Sequence, residues 1–329
     1  MPRRPYGKGL QDFGNGCYAW LQPDGSWGLS NAGLVADGGE SLLIDTLMDL
    51  PLTRDMLAAM RAAVPAAARI GTLVNTHSNP DHTSGNQLVA GAEIIASAAC
   101  LAEMTEQALP ASGPSLRRDW RQFGEAGAFF NEVMWTRFSD EGVVLTLPTR
   151  SFTGELTLQV GGKEVRLVEV GPAHTGGDII AYVPADRTVF TGDILFIDGH
   201  PIVWDGPVAN WLKACDLMLG WDVETVVPGH GPVTDKDGIR AVRRYLDYVH
   251  AEAKSRYEAG MGYEAAARDI SLAPFADWLD PERIVLNVFA CYREFSGASG
   301  PVDRIAVLSA AARVYFERKR ARPGGSAAP

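Results

Sequence analysis

Thr76-His77-Ser78-Asn79-Pro80-Asp81-His82 comes one residue after an apolar run, Ile70 to Val74, and sets two imidazoles and a carboxylate close together in one loop. Three more residues of the same kind, His174, Asp193 and His230, each stand in a glycine-flanked turn after an apolar run. Imidazole and carboxylate hold zinc or a similar divalent ion while leaving a position open for water, whereas a closed structural site leans on thiolates. Four of the six histidines therefore occupy loops that follow strands, accompanied by Asp81 and Asp193, and together they read as a metal site. A hydrolytic metalloenzyme is the expectation.

Outward from that loop, the pattern is one of strands and helices in alternation. From Cys17 to Thr46 short apolar runs are punctuated by Pro23-Asp24-Gly25 and Asp37-Gly38-Gly39, the signature of a meander. Leu52, Met56, Leu57, Met60 and Val64 keep helical spacing before the Ile70 to Val74 strand, so a β-α-β succession delivers the first histidines to a loop mounted on a scaffold. After the short strand Glu93-Ile94-Ile95-Ala96 the character becomes helical from Ala98 to about Asp140, an inserted helical hairpin whose Trp120, Phe123, Phe129, Phe130 and Trp135 serve as core or roof a pocket. Strands are predicted at Val143 to Leu147, Leu156 to Val160, Val165 to Val170, Ile179 to Val183, Thr188 to Thr191 and Thr225 to Val227, with Gly161-Gly162 as a hairpin turn. Beyond Asp235 only helical stripes remain, on Ile239, Val242, Leu246 and Val249, then on Ile284, Val288 and Tyr292, then on Ile305, Leu308, Ala312 and Tyr315. The chain divides into a catalytic unit at 1–235 with its insertion at about 98–140, a helical region at 236–322, and a disordered tail at 323–329.

Composition narrows the function. A chain of 329 residues, 46% hydrophobic and 21% charged, buries a sizeable core. A net charge of -10 and the lack of a basic stripe with interleaved aromatics argue against nucleic acid and anionic membranes as partners. No apolar stretch approaches the roughly 20 residues that span a bilayer. Arg3-Arg4 is not followed by the apolar run of a secretory signal, and Cys17, Cys100, Cys215 and Cys291 form no C-x-x-C pair. The cysteines read as small buried hydrophobes, and a reducing cytoplasm is the expected location.

His77-x-Asn79-x-Asp81-His82, Gly171-Pro172-Ala173-His174-Thr175-Gly176-Gly177-Asp178, Phe190-Thr191-Gly192-Asp193 and Pro228-Gly229-His230-Gly231 resemble, in order and spacing, the successive metal motifs of the metallo-β-lactamase-fold hydrolase superfamily. The resemblance covers roughly residues 15 to 235. It implies an α/β fold, a four-layer αββα sandwich with the metals at one edge, here with a helical insertion and C-terminal helices. The superfamily spans β-lactamases, thioesterases, lactonases, phosphodiesterases, sulfatases, nucleases and an iron-dependent persulfide dioxygenase, so it implies a fold and a site rather than a substrate. Carried over by position, His77, residue 79 and His174 bind a first ion, Asp81, His82 and His230 bind a second, and Asp193 bridges them. The implied cofactor is zinc, one or two ions, with iron or manganese as alternatives. The family usually has H-x-H-x-D-H, and Asn79 departs from it. A neutral amide oxygen is a poorer zinc donor than imidazole. Asn79 is thus a weak ligand in a dinuclear site, a non-ligand that hydrogen-bonds substrate or water, or the mark of a single-metal enzyme.

The chemistry expected is attack of a metal-activated water on a carbonyl carbon, with Asp81 orienting the nucleophile or handling a proton. No G-x-S-x-G or P-loop signature competes. The substrate is a small organic molecule with an ester, thioester, lactone or amide bond. His200, in the loop Phe196 to Pro201, and Trp204, in the loop Ile202 to Pro207, are expected to touch it. Asp45, Thr175 and Asp178 are expected to brace the metal loops by hydrogen bonds. His250 reads as structural, and Glu282, Arg283, Arg293 and Glu294 as a solvated or paired helix face. A mononuclear iron dioxygenase and a β-lactamase are the alternatives within catalysis, and a decayed site in a binding protein is the alternative outside it. The closing helices cap the sandwich or supply a homodimer surface.

Overall fold

In the computed structural model, residues 6–89, 91–107 and 115–321 are described. The arginines at 3 and 4 and the tail expected at 323–329 lie outside them.

Strands β1 (Gly9–Asp12), β2 (Cys17–Leu21), β3 (Ala32–Asp37) and β4 (Glu40–Ile44) form the expected meander, each antiparallel to the next. Helix α1 (Leu50–Ala63) then crosses over to β5 (Thr72–Val74), which lies parallel to β4. Its start is set by Asp49, whose carboxylate accepts the Leu52 N–H at 2.8 Å, and by Pro51 in the first turn, where no amide is needed. The single-turn α2 (Pro80–Thr83) follows, then β6 (Glu93–Ser97), parallel to β5. The insertion comprises α3 (Ala98–Gln107), α4 (Ser115–Arg118) and α5 (Gly124–Phe130), and β7 (Arg150–Phe152) completes a seven-stranded sheet parallel to β6.

The second sheet has five strands in the order β12-β11-β10-β9-β8: β8 (Glu155–Val160), β9 (Lys163–Glu169), β10 (Ile179–Val183), β11 (Thr188–Phe190) and β12 (Thr225–Val227). Val160 pairs with Lys163, so Gly161-Gly162 is the whole hairpin loop. Helix α6 (Val208–Gly220) connects β11 to β12, and α7 (Lys236–Glu258), α8 (Tyr263–Asp269), α9 (Ile284–Ser296) and α10 (Arg304–Ala321) close the described chain.

Four layers follow from where the apolar side chains go. Ala19, Leu21, Val35, Leu42 and Ile44 of the first sheet meet Val165, Leu167, Ile179, Ala181 and Phe190 of the second. On β3, a Cβ at Gly33 would stand 2.4 Å from the Phe190 ring, so only glycine lets the two sheets close there. Outside the first sheet, Met56, Leu57 and Met60 of α1 cover Leu34, Leu43 and Leu73. Outside the second, Trp211 of α6 and Ile239, Val242 and Leu246 of α7 cover Ile180 and Val226, and Trp211 donates its indole N–H to Ile194 O at 2.8 Å. Val285, Val288, Ala310 and Ala311 of α9 and α10 belong to this same cluster, so the closing helices share a core with the second sheet.

Two expectations are corrected. Val143 to Leu147 is not a strand: the slot beside β6 is taken by β7, with Ile95 opposite Arg150, and the segment is pinned by side chains instead, Gln87 accepting the Val144 N–H and Asn86 donating to Thr146 O. The insertion is not a simple two-helix hairpin. Among the described residues it is α3 followed by short pieces, including a 3-10 turn at Trp120–Phe123 and a π turn at Asn131–Trp135 that prolongs α5. Aromatic bulk, rather than helix propensity, holds these pieces: Phe129 packs edge-on against Trp27 and Tyr315.

Candidate metal centre

The strand ends of both sheets meet at one edge. Asp45 follows β4, His77 to His82 follow β5, His174 lies between β9 and β10, Asp193 follows β11, and His230 follows β12. Four Nε2 atoms converge on the Asp193 carboxylate: His82 at 3.1 Å from Oδ1, and His174, His230 and His77 at 3.3, 3.4 and 3.7 Å from Oδ2. Asp81 Oδ2 stands 3.3 Å from His230 Nε2 and 3.9 Å from His82 Nε2. The six residues thus form one focus, with donors close enough in two groups, His77, His82 and Asp193, and Asp81, His82 and His230, to share an ion.

Each ring is turned inward by a tether on its other nitrogen. Nδ1 of His82 lies 2.9 Å from Asp45 Oδ2, that of His174 2.7 Å from Ile202 O, that of His230 3.0 Å from Gly25 O, and that of His77 3.0 Å from the Thr76 hydroxyl. Asp45 also accepts the Thr76 N–H and hydroxyl, both at 2.7 Å, and does so from a left-handed backbone (φ 63) at the end of β4. Asp178 accepts the Thr175 N–H at 2.9 Å and the Thr175 hydroxyl at 2.8 Å, fixing the loop that carries His174. Asp45, Thr175 and Asp178 therefore sit where a bracing role needs them.

The residues fit a divalent ion. Among the described residues His77 Nε2, His82 Nε2 and Asp193 Oδ1 are buried without a hydrogen-bond partner, a cost that a coordinated cation removes. With no cation counted, burial and the neighbouring rings drive His77 well below the ordinary histidine range. Burial also works against charge on His230, yet Asp193 and Asp81 outweigh it and lift that ring to about 9. Asp81 is brought down to about 2 by His82 and His230 against its burial, so it stays an anion. Burial pushes Asp178 up to about 8, with Thr175 opposing.

Asn79 Oδ1 lies 2.9 Å from His174 Nε2. A neutral ring that gives its Nδ1–H to Ile202 presents a lone pair at Nε2. An amide beside it is complementary in two ways only, with its N–H turned to the ring or with a cation between oxygen and nitrogen.

Above the donors opens a cavity of about 340 Å³. Asn79, Asp81, His174, Asp193 and His230 line its floor, and Trp27, Phe130, Met134, Phe196, Ile202 and Trp204 line its walls, with Ile305 and Leu308 of α10 above. The insertion does roof the site, and Trp204 lies at it as expected. His200 does not: its ring is fully buried against Tyr245 and Trp278, away from the cavity, because Arg283 and Asn287 take up the His200 and Pro201 carbonyls and hold that stretch against the closing helices. Burial and the Arg283 charge hold that ring near 3.

Of the solvated or paired helix face expected at Glu282 and Arg283, the solvated alternative is corrected, since both residues are buried. Glu282 accepts the Trp27 indole N–H at 2.8 Å. Arg283 stacks its guanidinium 4.5 Å from the Trp27 ring, donates to His200 O at 2.9 Å, pairs with Asp280 at 2.8 Å, and reaches the cavity wall. Trp27 and Arg304 went unnoticed in the sequence, and Arg283 was read there only as part of a helix face. Their only local signal is a tryptophan between turn residues and an arginine after Asp280-Pro281, neither of which tells pocket from surface.

The profile of the family described as the metallo-beta-lactamase superfamily matches residues 25–230. A Beta-lactamase-like protein 2 homolog of Caenorhabditis elegans is 20% identical over 230 residues, 70% of this chain and 63% of that protein, so the chain spans less than two thirds of that relative's length. Among solved structures, the sec-alkylsulfatase Pisa1 from Pseudomonas sp. superposes with a TM-score of 0.67 at 17% identity, over 89% of this chain and 51% of its own. A metallo-beta-lactamase from Pontibacter korlensis superposes with a TM-score of 0.55 at 17% identity, over 72% of this chain and 98% of its own. At these identities the likeness is one of fold.

Proposed function

This chain belongs to the metallo-beta-lactamase superfamily of metal-dependent hydrolases, and from that premise we propose that it uses water to cleave an ester, thioester, lactone or amide bond of a small, largely apolar organic molecule. One observation carries this reading: four imidazole Nε2 atoms and two carboxylates share a focus at the floor of a cavity walled by aromatic side chains.

Zinc is the proposed cofactor, with His82, Asp81, His230 and Asp193 as the stronger donor set and His77, His174 and Asn79 as the weaker one. A divalent ion in such a set supplies Lewis acidity and brings the pKa of water toward neutrality. The chain's own residues do the rest. Asp81, an anion at neutral pH, offers a carboxylate oxygen to orient the attacking water. Trp27, Phe130 and Trp204 exclude bulk solvent and fix an apolar group beside the reacting bond.

A second reading, cleavage of an anionic ester such as an alkyl sulfate, draws on one specific observation. Among the described residues, Arg283 and Arg304 bring guanidinium groups to the lining of this cavity.

The test is a zinc-loaded sample assayed against aryl esters, an acyl thioester, a lactone, a cephalosporin and an alkyl sulfate. Turnover of one class, lost on chelation, restored by zinc and absent in His82→Ala, is expected. Oxygen uptake by an Fe(II)-loaded sample that hydrolyses nothing would sink the proposal in favour of oxygenase chemistry. Failure to take up metal would favour a binding protein.

A further inference from the structure

Helix α3 leaves the end of β6 and runs directly beneath the two loops that carry His77, Asn79 and His174. Its first turn is packed against the Gly176-Gly177 backbone: Ser97 Oγ donates to Gly177 O at 2.6 Å and accepts the Cys100 N–H at 3.0 Å. The approach is close enough that a Cβ at Gly177 would stand 2.2 Å from Cys100 N. One turn further on, the Glu103 carboxylate divides its two oxygens between the loops. Oε2 accepts the Ser78 hydroxyl at 2.6 Å, and Oε1 accepts the Gly176 N–H at 2.7 Å. Ser78 stands between His77 and Asn79, and Gly176 stands two residues after His174. A Cβ at Gly176 would lie 2.4 Å from Glu103 Oε1, so the glycine leaves the room that the carboxylate occupies.

We propose that Glu103 is a positioning residue, a carboxylate clamp from the insertion that holds the His77–Asn79 loop against the His174 loop and thereby sets how tightly an ion is held by His77 and His174. Hydrogen bonds to a carboxylate are short and strong, and one side chain that spans two loops fixes their separation as well as their orientation. Asp81 and His82 lie further along the same loop but are held by other contacts, the Asp81 carbonyl by the Ser30 hydroxyl and the His82 ring by Asp45, while the His230 ring is held by Gly25 O. Among the described residues no α3 side chain bonds these three, so the effect falls mainly on the weaker donor set. The inference rests on the metal-centre reading, and its test keeps the two apart.

Apoprotein is titrated with zinc against a chelating dye, in the wild-type chain and in Glu103→Ala, Glu103→Gln, Ser78→Ala and, as a control on the outer side of the same helix, Thr105→Ala. Loss of such a supporting contact typically costs about 10- to 100-fold in metal affinity. Glu103→Ala should therefore weaken the more loosely held ion at least about 10-fold. Glu103→Gln should stay within about 3-fold of wild type, because its amide oxygen accepts from Gly176 while its N–H donates to a reversed Ser78 hydroxyl. Ser78→Ala should fall between the two, and Thr105→Ala should match wild type. The clamp is overturned if Glu103→Ala keeps wild-type affinity, if both ions weaken alike, or if Glu103→Gln loses as much as Glu103→Ala. A single bound ion indifferent to Glu103→Ala overturns it too. Wild-type protein that binds no zinc overturns the metal-centre reading itself, whereas normal zinc binding with a silent Glu103→Ala overturns only this inference.

Discussion

At the scale of single residues, Asn79 is the informative departure. Its oxygen already stands at hydrogen-bond distance from His174 Nε2, so an imidazole in its place adds a stronger donor at the same focus. Asn79→His is expected to raise zinc affinity at the weaker position by about 10-fold or more, read by chelator competition. Unchanged affinity would put residue 79 out of bonding reach. The six clustered histidines and aspartates were legible in the sequence because ligand chemistry and turn glycines are local signals. His200 and Arg283 were not. Whether a loop histidine or an arginine two residues after a proline faces a cavity depends on which distant helix packs over it, and periodicity around residue 200 or 283 carries no trace of Tyr245, Trp278 or Trp27.

At the scale of elements, the roof over the site is assembled from three places in the chain: α5 with its π turn, the Ile202 to Pro207 loop, and α10. Trp204 contributes a ring to the wall, and its bond to a donor residue is a backbone one, its N–H donated to His174 O at 3.0 Å. Trp204→Ala should raise KM about 10-fold with kcat within about 3-fold, the pattern of lost uniform binding. A fall in kcat instead would place the indole against the reacting bond. The sandwich strands and α1 were readable from alternation and helical spacing, and Gly161-Gly162 announced its hairpin. The insertion misled because its aromatics are spaced for a helix that the chain forms only in pieces, and Val143 to Leu147 misled because β propensity cannot say that the adjacent slot belongs to Arg150–Phe152.

At the scale of the whole molecule, two measurements bear on stability. Burial and the neighbouring Asp280 raise Glu282 from 4.5 to about 7. Between those values the folded chain keeps a proton that the unfolded chain has lost, so stability is greatest below about pH 4.5 for this group and declines as pH rises toward 7. Glu282→Gln, which still accepts from Trp27, should flatten that part of the profile in denaturant titrations at pH 5 and 8, and an unaltered slope would show that Glu282 does not titrate there. Chelation should lower the thermal midpoint by on the order of 10 °C, as expected for removal of a ligand bound far above its Kd. A midpoint indifferent to chelator would mean that no ion stabilises the fold. The donors are divided between the two sheets, with His77, Asp81 and His82 after one and His174, Asp193 and His230 after the other. A nascent chain therefore has no half-site worth competing for: it can draw metal from cellular buffers only once its two halves have met, and metal uptake becomes a report of finished assembly.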